Sequence, residues 1–137
     1  MVDLATLPAP LQTAVKELQA NGRDGVRVDA VSDNFAYIWI GDLEKQTANE
    51  KTGGWLRIPT AFPFANPHGL ITIEPLQRTD GTLVSDGHNP GHQMCSPVQS
   101  LGAANYYSWT WQDCPTIHGP EGIVGVLHWY ERRIRKG

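Results

Sequence analysis

The sequence predicts a single domain of the α+β class, and three observations carry that prediction. Apolar residues recur at helical spacing near both ends of the chain, and four short runs rich in β-branched and aromatic residues lie between them. The links between consecutive runs favour antiparallel pairing in chain order, with helices covering one face of the sheet. The 137 residues suit one domain, which at this size buries roughly two thirds of its unfolded surface and needs no metal or disulfide to fold.

The first helix is marked by Leu7, Leu11, Val15 and Leu18, with Pro8 and Pro10 at its start and Asn21-Gly22 as its stop. Residues 26–31 and 35–40 read as strands joined by a turn at Ser32-Asp33-Asn34. Residues 41–54 are polar and read as a connection. Residues 55–58 form a third strand, cut off by Pro59. Residues 58–67 cannot be regular structure, because Pro59, Pro63 and Pro67 remove donors and bar the helical conformation from the residues before them. They lead to a fourth strand, 70–73. Residues 75–119 show no sustained period of either kind, and a loop of this length in a compact domain is usually functional. Its aromatic run, Tyr106-Tyr107-Ser108-Trp109-Thr110-Trp111, is expected to pack it onto the body. The chain closes in a second helix with Pro120 and Glu121 at its start and an apolar stripe of Ile123, Val124, Val126, Leu127, Tyr130 and Ile134. Arg132, Arg133, Arg135 and Lys136 complement the negative end of its dipole.

Composition excludes several function classes. An apolar fraction of 40% with 18% charged residues is that of a globular chain, not a disordered one. A net charge of −3 leaves no basic face for phosphates, so nucleic acid is not an expected partner. No apolar run is long enough to span a bilayer, and the N-terminus lacks the basic-then-apolar pattern of a secretory signal. Cys95 and Cys114 are too few for a secreted disulfide framework. The expected location is the cytoplasm, with both thiols free and no membrane partner.

A helix, a four-stranded antiparallel meander with a proline bend, a long loop and a closing helix together resemble the ubiquitin-conjugating family. The bend Phe62-Pro63-Phe64-Ala65-Asn66-Pro67 keeps the aromatic-proline start and the final proline of that family's Tyr-Pro-x-x-Pro-Pro pattern. The loop carries Asp80-Gly81, His88-Asn89-Pro90, both cysteines and the tryptophans, and the last helix opens with Gly119-Pro120-Glu121-Gly122-Ile123. The family has His-Pro-Asn before its cysteine, whereas this chain has His88-Asn89-Pro90. The chain looks closest to divergent bacterial members that act with an activating enzyme, a ubiquitin-like modifier and a deconjugating peptidase in defence against phage. The resemblance implies an enzyme that accepts a modifier as a cysteine thioester and transfers it to an amine of a protein target, without a cofactor or metal.

Such chemistry needs an exposed thiolate and a donor for the tetrahedral oxyanion. Cys114, in Trp109-Thr110-Trp111-Gln112-Asp113-Cys114-Pro115 just before the final helix, is the preferred nucleophile, because the resemblance to the bacterial members implies a reactive position close behind such a tryptophan-rich segment. Asp113 is the candidate base or orienting group for the amine, and His118 the candidate partner that lowers the thiol pKa. Cys95 is the alternative nucleophile, counted forward from strand four, and Asn89 the candidate oxyanion donor with either thiol. Two further readings stand beside these. His88, His92, Cys95, Cys114 and His118 are residue types that hold zinc, and a conjugating-type fold can serve as a binding module without catalysis. Trp39 and Trp55 are expected to pack the sheet, His68 to be a turn residue, and His128 to sit on the surface of the last helix.

Overall fold

The computed structural model describes residues 2–21, 25–42, 53–65, 67–78, 80–85, 87–108, 119 and 122–136. They form an α+β architecture. Two α-helices, α1 (Ala9–Ala20) and α2 (Ile123–Lys136), pack with a sheet of six strands. These are β1 (Arg27–Ser32), β2 (Phe35–Asp42), β3 (Gly53–Pro59), β4 (Leu70–Thr72), β5 (His88–Pro90) and β6 (Asn105–Tyr107), ordered β1-β2-β3-β4-β6-β5 with every pair antiparallel.

The helix α1 forms where the apolar stripe predicts it, burying Leu11, Ala14, Val15 and Leu18. Pro8 stands at its N-cap without a side-chain cap, and Gln12 Nε2 donates to Leu7 O at 2.8 Å, tying the chain that enters the helix. Asn21 closes it, its Nδ2 donating to Glu17 O at 2.8 Å. Gln19 then reaches across to Val26 O at 3.0 Å and couples the helix to the approach to β1. Between β1 and β2, Asp33 (φ 52°) and Asn34 (φ 66°) both take the left-handed conformation, as a two-residue hairpin of type I′ requires. The register shifts between Val28 and Ala30, which leaves Asp29 as an extra residue in β1.

Three expectations need correction. The sheet has six strands, not four, because β5 and β6 lie inside residues 75–119. Each spans three residues, too few for a repeating pattern, and each is held by pairing with a neighbouring strand. Helices also do not cover one face alone. On the first face, α1 and α2 bury Ala36, Ile38, Ile40, Leu56, Ile58 and Tyr107. On the other, a 3-10 segment, Gln93–Leu101, sets Cys95 and Val98 against Tyr37, Trp55, Ile71 and Tyr106. Pro97 inside that segment and the non-helical backbone of Val98 break the helical pattern that would have announced it. The ends of the polar connection at 41–54 are strand as well: Gly41 and Asp42 extend β2, and Gly53 and Gly54 open β3.

Residues 76–78 and 80–84 pair with one another across a small excursion. Arg78 N donates to Thr82 O at 2.7 Å, while Val84 N returns to Leu76 O at 3.0 Å. Leu76 and Val84 are buried beneath it in the helix-side core. Arg78 Nε donates to Ile134 O at 2.9 Å, placing a cation against the carbonyl end of α2. His128 is exposed on α2, as expected. Among the described residues, no helix is long and apolar enough to cross a membrane.

Candidate functional site

The His-Asn-Pro cluster is β5, the edge strand among the described residues, paired there with β6. His88 is locked by its neighbours. Asn105 Nδ2 donates to Ile73 O at 3.2 Å, so Asn105 Oδ1 faces His88 and accepts from Nε2 at 2.7 Å. The imidazole stacks on the ring of Tyr107 with centroids 4.7 Å apart and planes within 8°. Asn89 is exposed on the same strand, and its side-chain amide donates to Gly87 O at 2.9 Å. One of its two N–H groups holds the turn into β5, and the other is the one an oxyanion would use.

Cys95 has the opposite surroundings to those of a reactive thiol. It is 3% exposed in the 3-10 segment, packed in the cluster with Trp55, Ile71 and Tyr106, and it is a free cysteine. Burial pushes its thiol above the ordinary range. Nucleophilic cysteines are held low and exposed, so the structure argues against Cys95 as the alternative nucleophile. Burial likewise raises the phenol of Tyr107, against the opposing hydrogen bond from Leu76 N.

These shifts set a pH dependence. A thiol or phenol with a raised folded pKa keeps its proton in the native state after the unfolded chain has lost its own. Its stabilising effect is therefore complete below the ordinary thiol range and is lost as pH rises from there toward the raised value. Thermal melts between about pH 7 and about pH 10.5 should show a falling midpoint. Cys95→Ala should remove the part of the fall that begins in the thiol range and leave the phenolic part. A slope unchanged by the substitution would mean that the Cys95 thiol does not contribute.

Cys114, Asp113 and His118 lie outside the described residues, as do Pro120, Glu121, Trp109 and Trp111. Of the five candidate zinc ligands, His88, His92 and Cys95 are described. His92 Nδ1 accepts from Met94 N at 3.1 Å, capping the 3-10 segment, and its ring lies 4.8 Å from that of Tyr106. Among the described residues, no group of three or more His, Cys, Asp or Glu side chains gathers as metal ligands would.

A polar cluster that sequence reasoning missed lies on the sheet face of the 3-10 segment. Arg57, in β3, is 5% exposed. Its Nε donates to the Tyr37 hydroxyl at 3.2 Å and its Nη1 to His68 Nδ1 at 3.3 Å, with the guanidinium 3.5 Å from the centre of the Phe35 ring. His68 Nδ1 also meets the Tyr106 hydroxyl at 2.9 Å. His68 is thus more than a turn residue. Backbone bonds from His68 N to Arg57 O and from Arg57 N to Gly69 O hold it opposite Arg57. The only hint in the sequence was an arginine alternating with Trp55 in an otherwise apolar strand.

Comparison with known proteins returned no matching family model, no matching curated protein and no matching solved structure.

Proposed function

We propose that this chain is a cytoplasmic conjugating enzyme of the ubiquitin-conjugating type, working in bacterial anti-phage defence. It takes a ubiquitin-like modifier from an activating enzyme as a thioester on Cys114 and passes it to an amine of a protein target. The observation that carries this reading is the chain order around the sheet. A helix is followed by four strands that neighbour one another in sequence order, with a proline segment between β3 and β4. Last comes a thiol-bearing stretch between β6 and the closing helix. The burial of Cys95 supports the choice of thiol, because Cys114 is the other cysteine of the sequence.

In the proposed reaction the Cys114 thiolate attacks the modifier's C-terminal thioester carbonyl, and the thiolate of the activating enzyme leaves. A target amine then attacks the new thioester, loses a proton to a base, and expels the Cys114 thiolate. Asp113 is the proposed base, His118 the group that favours the thiolate, and Asn89 the donor to the oxyanion.

The test combines the chain with an activating enzyme, a ubiquitin-like modifier and ATP, followed by a non-reducing gel. A thiol-sensitive adduct is expected in the wild type and in Cys95→Ala, and none in Cys114→Ala. Absence of any adduct, with the activating enzyme shown to be charged, would sink the enzymatic reading and favour a binding module. An adduct lost in Cys95→Ala and kept in Cys114→Ala would move the nucleophile.

A further inference from the structure

No further inference is drawn: the strongest candidate, the His88–Asn105 side-chain pair where β5 meets β6, carries nothing beyond an oriented imidazole, because among the described residues no hydroxyl or thiol is hydrogen-bonded to it as a nucleophile and no group of metal ligands gathers around it.

Discussion

Gly69→Ala should destabilise the fold by about 3–5 kcal/mol, through backbone strain and a steric clash together. Gly69 stands just before β4 with φ at 106°, a conformation that side-chain-bearing residues rarely take. Forcing alanine into it costs roughly 1–3 kcal/mol. The added Cβ would also run into Cε1 of Tyr106, with Cζ and the hydroxyl of that ring at 2.9 Å. Tyr106 cannot yield freely, because it is 4% exposed, bonded to His68 and packed beside Cys95 and Ile71. Overpacking of this kind adds roughly another 1–3 kcal/mol. Gly69 N meanwhile donates to the Tyr130 hydroxyl on α2 at 3.0 Å, so a displaced backbone would also loosen the helix from the sheet. Urea unfolding should show the midpoint falling by roughly 2 M with the slope unchanged. In a Tyr106→Ala background the same substitution should cost only its backbone share. An equal cost in both backgrounds would remove the steric half of the explanation.

How much of this architecture was legible follows from the range of the forces that make each part. The strands β1 to β3 and the two α-helices bury faces long enough to repeat a pattern, so Val28, Ile38, Leu56, Leu11 and Ile134 announce their elements. The hairpin at Asp33-Asn34 is equally local, since both residues tolerate the left-handed backbone it needs. What sequence reading missed is held by distant partners. His88 owes its orientation to Asn105 and Tyr107, and Arg57 meets a histidine across a strand pairing that also brings in Tyr106. The rival claim of Cys95 rested on counting residues forward from strand four. Counting cannot tell that the 3-10 segment turns this thiol toward Trp55 and Ile71. Of the candidate site, Asn89 is seen to be exposed and Cys95 buried, whereas Cys114, Asp113 and His118 fall outside the described residues.

Trp55→Ala should be the most damaging single truncation in the sheet, at about 5–7 kcal/mol, which is comparable to the whole stability of many domains this size. Trp55 is 1% exposed and meets Trp39 edge-on with ring centres 4.8 Å apart. Its removal opens a large cavity between β3 and the 3-10 segment, worth roughly 3–5 kcal/mol. The remainder comes from Asp29. The extra residue in β1 brings this carboxylate under the sheet, where its side chain is 3% exposed. It is held there by Arg27 Nε at 2.7 Å and Trp55 Nε1 at 2.8 Å. Arg27 is itself 38% exposed and lies 5.1 Å from the centre of the Trp39 ring, so solvent screens part of its pull and the indole N–H carries more of the load. Taking that donor away leaves a buried charge half-satisfied, at roughly 1.5–3 kcal/mol. Trp55→Phe separates the two effects. It keeps most of the ring and loses the donor, so it should cost about 2–3 kcal/mol in the native sequence but under about 1 kcal/mol in an Asp29→Ala background. Chemical denaturation of the four proteins in this cycle measures the coupling directly. A coupling near zero would mean that the Trp55 indole stabilises the sheet by packing alone, and that Asp29 is held by Arg27.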